Sequence, residues 1–252
     1  MHLNHLVFQG RVRQSRGLGH VGCFAGGDVF PAQAHAELRH GGDVMNEPLH
    51  LPRRWIYLAM NKPSGYVTTH ADPQHRQTVD ELLGSWRGKV FAIGRLDRDT
   101  EGLLLFTNNG DLANRLLHPR YQRERTYLAW VRPHPTLEMV RRIEAGIVIG
   151  PGEKSGPSRV RVLGRKGDTA RVRITLREGK YREVRRIFAA VKIKVLALRR
   201  ISFAGLDLGG MPAGSVRALA PDELDALARL TGCNLTAGVT DVRTRRSAPP
   251  HR

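Results

Sequence analysis

Two clusters of side chains in this chain have the types and spacing to do chemistry. The first is Gly94-Arg95-Leu96-Asp97-Arg98-Asp99-Thr100-Glu101-Gly102, which sets three acids and two arginines on a short loop between apolar, strand-like runs. A carboxylate mounted at a strand end beside guanidiniums could act as a nucleophile or as an acid–base group. The same pattern describes a surface turn whose charges neutralise one another, and pattern alone favours that plainer reading. The second cluster is Glu178-Gly179-Lys180-Tyr181-Arg182-Glu183-Val184-Arg185-Arg186-Ile187-Phe188. Helical spacing puts Arg182, Arg185 and Arg186 within one turn of each other, opposite an apolar stripe of Val184, Ile187 and Phe188. Adjoining strand candidates add Arg171, Arg173, Arg177, Arg199 and Arg200. That concentration exceeds what a solvated face needs, and phosphate binding is the economical explanation.

Other motifs fail their context tests. Gly17-Leu18-Gly19-His20-Val21-Gly22 has the glycine spacing of a dinucleotide loop, yet no strand precedes it and no amphipathic helix follows. His2, His5, His20, His35, His40 and His50 lack metal-ligand spacing and read as scattered, solvated histidines. Cys23 and Cys233 are the only cysteines, too few for a disulfide framework and too far apart for a metal knuckle, so no metal is expected. No secretory signal or membrane span is legible, and a cytoplasmic location is expected.

These clusters must be held by elements that periodicity reveals. Strands are expected at 55–60, 90–96, 103–106 and 126–131, with 103–106 apolar on both faces and therefore central. Short helices are expected at 112–117, stopped by His118-Pro119, and at 136–145. Strands at 159–163 and 169–176 alternate Val/Ile with Arg around a turn at 164–168, making one apolar and one positive face. A helix at 179–191, strands at 195–203 and 215–219, and a last helix from Pro221 complete the pattern. Strands joined as hairpins, with helices interspersed, indicate an α+β class with a mixed, largely antiparallel central sheet and flanking helices.

Charge adds a partner. Among 252 residues, 41 Lys and Arg against 23 Asp and Glu give a net charge of +18, which points to a polyanion. Residues 1–50 are neutral and carry no sustained apolar period, whereas 233–252 carry +3 with no apolar pattern. The chain therefore divides into an atypical N-terminal segment (1–50), a folded domain (51–232) that holds most of the charge, and a basic disordered tail (233–252).

The run Gly94 to Pro119, GRLDRDTEGLLLFTNNGDLANRLLHP, closely resembles the signature of the RsuA-type ribosomal pseudouridine synthases, the group that includes the RluB, RluE and RluF enzymes. Leu58 to Tyr66, Arg125 to Leu128, Glu178 to Arg186, and Leu198 to Gly209 extend the resemblance, in order, over roughly 55–228. It implies the pseudouridine synthase fold with a basic catalytic cleft, and isomerisation of a uridine in ribosomal RNA: the C1′–N1 bond breaks, the uracil turns, and it rejoins through C5. It also implies Asp97 as the catalytic aspartate, Tyr127 stacked on the target base and assisting removal of the C5 proton, and Arg185 paired with Asp97 to keep it ionised. Arg95 would fill the space left by the extruded nucleotide, and Lys62, Lys180, Arg182 and Arg186 would bind substrate. Asp99 and Glu101 would shape the loop. Asp97 could attack covalently or remove a sugar proton, and the residues do not choose between these. The reaction conserves atoms and oxidation state, so no cofactor is implied.

Residues 1–50 depart from the helical, Arg-rich RNA-binding domain with which the family usually begins. Only Gly42 to Leu49 resembles its closing hairpin, and Met45 offers an alternative start. The expected partner is ribosomal RNA or an immature ribosomal subunit, with 23S favoured over 16S by similarity to RluB-type members, and monomer as the default state. The competing reading is a basic RNA-binding or ribosome-assembly protein that keeps the fold without catalysis.

Overall fold

A computed structural model describes residues 54–69 and 72–235, together with two short strands near residue 40. The chain divides into two units, Met1–Met45 and Asn46–Arg252. In the first, β1 (Arg39–His40) and β2 (Asp43–Val44) pair antiparallel, with Arg39 opposite Val44. The expectations for the Gly17–Gly22 loop, the N-terminal histidine side chains, Cys23 and residues 236–252 lie outside the described residues.

The second unit runs β3 (Tyr57–Lys62), a 3-10 helix (Val79–Trp86), β4 (Phe91–Ala92), β5 (Thr100–Thr107), α1 (Gly110–Leu117), a 3-10 turn (Pro119–Tyr121), β6 (Arg125–Arg132) and α2 (Leu137–Glu144). It continues with β7 (Val148–Gly150), β8 (Glu153–Lys154), β9 (Arg159–Lys166), β10 (Thr169–Leu176), α3 (Glu183–Ala190), β11 (Lys194–Phe203), β12 (Leu206–Asp207), β13 (Val216–Ala218) and α4 (Pro221–Thr231). The main sheet has the order β13-β3-β5-β11-β6-β10-β9, with β4 added to β5 and β12 to β11. Its ladders are antiparallel except β5 with β11. The α+β class and mixed, largely antiparallel sheet expected from the sequence are present.

Alternation along β3 and β5 explains why they are central. Tyr57, Ala59, Leu103 and Leu105 face a core closed by α1 and α4, while Leu58, Met60, Leu104 and Phe106 face a second core closed by the 3-10 helix. Asn109 caps α1 by accepting from the Leu112 amide at 3.1 Å. Pro119 ends that helix by holding His118 extended (ψ 129°). In the other half of the sheet, Ala129, Val131, Val172 and Ile174 pack with Val184, Ile187 and Phe188 of α3. One face of β6, β10 and β9 is thus helix-covered, while Leu128 and Trp130 on the other belong to none of the buried cores.

Three local expectations change. The strand at 90–96 shrinks to Phe91–Ala92, because Gly94 (φ +75°) turns the chain out of the sheet. The helix expected from Gly179 starts at Glu183, since Arg182 takes a left-handed conformation (φ 47°, ψ 35°) that ends helical continuity. The packed body also passes residue 232: Leu235 is fully buried in the α1/α4 core, and Cys233 packs against it. The 3-10 helix and the β7–β8 hairpin carry no periodic signal long enough to have been foreseen.

Candidate active site

The loop between β4 and β5 carries Asp97, and it is held from below. Thr68 Oγ1 donates to the Leu96 carbonyl (2.9 Å) and accepts from the Leu96 amide (3.3 Å), while the Gly65 amide donates to the Arg98 carbonyl at 2.8 Å. Leu96 itself is buried in the core beneath the loop. Lys62, at the end of β3, has 0% exposure, and its Nζ donates to the carbonyls of Pro63 (3.0 Å), Arg98 (3.3 Å) and Thr100 (2.9 Å). Burial lowers the Lys62 ammonium to about 8, against the pull of Asp99, Asp97 and Glu101. With its donors committed to backbone carbonyls, two of them at the end of the Asp97 loop, Lys62 does not reach a substrate phosphate; it fastens the loop.

Asp97 stands on the rim of a cleft whose opposite wall is the Glu178–Arg185 segment. The left-handed turn at Arg182 brings its Nη1 to 3.4 Å from Asp97 Oδ2 and 3.3 Å from Asp99 Oδ1. Arg185 Nη2 lies 2.8 Å from Asp99 Oδ2 and donates to the Asp99 carbonyl at 3.1 Å, and its Nη1 donates to the Val195 carbonyl at 3.1 Å. The guanidinium touching Asp97 is therefore that of Arg182. Arg185, expected to pair with Asp97, pairs with Asp99 and acts on Asp97 through space. The expected direction of the Asp97 pKa shift is also corrected. The Asp97 side chain is only 26% exposed, and burial raises its pKa, an effect that Arg182, Arg185 and Lys62 oppose without cancelling and that Asp99 reinforces.

The cleft brings Asp97 together with five other expected site residues: Arg95, Tyr127, Lys180, Arg182 and Arg185. Tyr127 projects from β6 beside Leu176, Val184 and Leu198, which give the floor an apolar surface suited to an aromatic ring. Arg95 is exposed at the rim, and Lys180 pairs with Glu178 (2.6 Å) and donates to the Lys154 carbonyl (2.6 Å). Arg186 does not line the cleft. It pairs with Glu153 and donates to the Ile149 carbonyl at 3.0 Å, tying α3 to the β7–β8 hairpin.

Two cleft residues escaped the sequence reading as individuals. Arg125 and Arg200 are buried at the floor, 5.0 and 4.9 Å from the centroid of the Phe203 ring they flank. Arg200 lies opposite Tyr127 in register, its Nε donates to the Leu103 carbonyl at 2.7 Å, and its Nη2 is buried without a hydrogen-bond partner among the described residues. Their signal was an arginine inside an apolar strand, masked by the many arginines around it. Among the described residues no group of three or more His, Cys, Asp or Glu is placed to hold a metal, and no helix is long and apolar enough to cross a membrane.

A half-buried carboxylate held between a guanidinium and a second acid, across from a tyrosine and an apolar floor, can act on a planar ligand by covalent attack or proton transfer. Residues 56–190 match the family model described as RNA pseudouridylate synthase. The chain is 37% identical over 177 residues to ribosomal large subunit pseudouridine synthase B of Bacillus subtilis (strain 168), covering 69% of this chain and 72% of the relative. It is also 37% identical over 230 residues to an uncharacterized RNA pseudouridine synthase of Mycobacterium tuberculosis (strain ATCC 25618 / H37Rv), covering 90% of this chain and 87% of the relative. Among solved structures, one described as a pseudouridylate synthase superposes with a TM-score of 0.64 at 30% identity, covering 70% of this chain and 75% of that one.

Proposed function

Because the chain belongs to the RNA pseudouridylate synthase family, we propose that it converts a uridine of ribosomal RNA to pseudouridine, in 23S rather than 16S, with Asp97 as the group that acts on the nucleotide. The observation that carries this reading is the meeting of Asp97, from the β4–β5 loop, and Tyr127, from β6, in one cleft with a basic wall. The target uridine must leave its stack to enter the cleft, and Arg95, exposed at the rim, fills its room in the RNA. Tyr127 then stacks on the uracil. Asp97 attacks, or removes a sugar proton, as the C1′–N1 bond breaks and its electron pair leaves with the base. The uracil turns and C5 bonds to C1′ as Asp97 leaves that carbon or, on the other route, as Asp97 returns the sugar proton; the C5 proton is lost as N1 gains one, so atoms and electrons balance without a cofactor. Arg182 and Arg185 orient the acid, and Arg182 also meets the incoming phosphates. The 23S preference follows the name of the Bacillus relative, a large-subunit enzyme.

The test is release of tritium from rRNA labelled at uridine C5, by wild type and by Asp97→Asn. Release by wild type that Asp97→Asn abolishes, with RNA binding kept, is the expected result. If both proteins bind rRNA equally and neither releases label, the chain is a binding or assembly protein that keeps the fold.

A further inference from the structure

Arg171 and Arg173 alternate along β10 with Val172 and Ile174, so the pleat that buries the valine and isoleucine against α3 turns both arginines to the side of the sheet away from the cleft. Their register partners on β6 are Trp130 and Leu128, and on β9 Arg161 stands directly opposite Arg173. Trp130 and Leu128 belong to none of the three cores and are partly exposed, while the three arginines are exposed. Among the described residues this half of the sheet therefore presents a basic surface with a partly exposed aromatic ring beside Arg171, distinct from the positive wall of the cleft.

Among the described residues no acid pairs with Arg161, Arg171 or Arg173. Their neighbours differ: Arg199 on the same face pairs with Glu101 at 2.7 Å, Arg159 with Glu124 at 2.7 Å, and Arg132 with Asp168 at 3.8 Å. Like charges directly opposite in an antiparallel pair have Cβ atoms about 5 Å apart and destabilise the ladder. Two unpaired guanidiniums in register, a third two residues along, and an indole beside it suit a polyanion that also offers flat rings to stack upon.

We propose that this face is a second RNA-contact surface, gripping phosphates of strands that flank the target while the cleft holds the target itself. The inference rests on the reading that the substrate is RNA. Each guanidinium can take a phosphate bidentately, and Trp130 can stack on an unpaired base. Because the two surfaces lie on opposite sides of the sheet, only an RNA long enough to pass around the molecule engages both, whereas a short stem–loop engages the cleft alone.

The test compares a long folded rRNA fragment with the shortest stem–loop that the wild type still modifies. The triple variant Arg161→Gln, Arg171→Gln, Arg173→Gln should bind the long fragment at least ~10-fold more weakly, and flatten its log–log salt dependence by about two to three units. Tritium release from the stem–loop should be unchanged, and thermal stability should not fall, since like-charge repulsion is removed. Trp130→Leu should weaken binding of the long fragment only. Unchanged affinity and salt slope for the long fragment overturn the proposal, as does equal loss on both RNAs. So does RNA affinity left intact while a wild-type dimer, or a complex with an acidic protein, is lost. The binding measurements need no turnover, so they judge this face even if no label is released and the reading of the cleft fails; a wild type that modifies RNA beside an indistinguishable triple variant sinks this inference alone.

Discussion

Arg185 and Asp99 are joined twice, through the carboxylate at 2.8 Å and through the Asp99 carbonyl at 3.1 Å. This clasp ties the loop bearing Asp97 to α3 across the cleft, and Arg182 adds a second strap by touching both acids. Asp99 thereby sets where Asp97 stands without itself needing to meet substrate.

Asp99→Asn weakens that clasp. Misplacing a reacting group by about 1 Å can cost on the order of 100-fold in rate. The expected outcome is a fall in kcat of about that size with KM changed much less, checked by steady-state tritium release. A variant that raises KM alone would place Asp99 among substrate contacts.

Burial raises the Asp97 pKa, so the folded state holds this proton more tightly than the unfolded chain does. Its contribution to stability therefore declines as pH rises from the ordinary carboxylate value to the raised folded value, and the ionised acid costs stability at neutral pH. Asp97→Asn should raise Tm at pH 7 while abolishing activity, and the gain should shrink as the pH falls through the raised folded value and be gone below about 4, the ordinary Asp value. Thermal melts of both proteins between pH 3 and 7 would read this. A lower Tm for the Asn variant at pH 7 would show that the Arg182 contact outweighs burial.

Lys62 fastens the loop, so Lys62→Met should lower kcat yet leave the salt dependence of RNA binding as it is, because no phosphate contact is lost. Its folded pKa of about 8 lies below the ordinary Lys value of 10.5. The unfolded chain binds more protons between those values, so the wild type should gain stability relative to Lys62→Met as pH rises through that window. Melts at pH 7.5 and 10 would check the sign.

Arg186 is neutralised by Glu153 and bonded to the Ile149 carbonyl. Arg186→Ala should change the salt slope by well under one unit and instead lower Tm by detaching α3 from the β7–β8 hairpin. A slope flattened by a full unit would return Arg186 to the RNA-binding surface.

Gly102 lies where β5 meets β11, at φ +106°, and a Cβ there would come within 2.2 Å of the Arg200 carbonyl oxygen. Backbone cannot yield as a side-chain tip can. Gly102→Ala should cost well over 1 kcal/mol, lowering Tm by about 4 °C or more for a domain of this size.

The motif around Asp97 and the family it belongs to were legible because both are written in consecutive residues, and the comparisons bear that resemblance out. The strands and helices were legible wherever apolar period was long: Leu103 to Phe106 announced a central strand, and Arg159 to Leu176 a hairpin with one positive face. Elements without such a period, such as the 3-10 helix at Val79–Trp86, were not.

Local periodicity therefore determined the class of fold and most of its elements, and the run of consecutive residues that resembles the family picked out the acid on its loop. Only the tertiary structure decided which guanidinium meets which carboxylate, because Asp97 and Arg182 come from elements far apart in the chain whose approach depends on how the sheet and α3 pack. It also decided that burial outweighs the arginines at Asp97, and that Lys62 lies under the loop instead of facing solvent. The arginines of the strands and those of the helix read as one basic patch in sequence, but the pleat of β10 sends Arg171 and Arg173 to the far side of the sheet. Charge can be counted along a chain, whereas its direction is a property of packing.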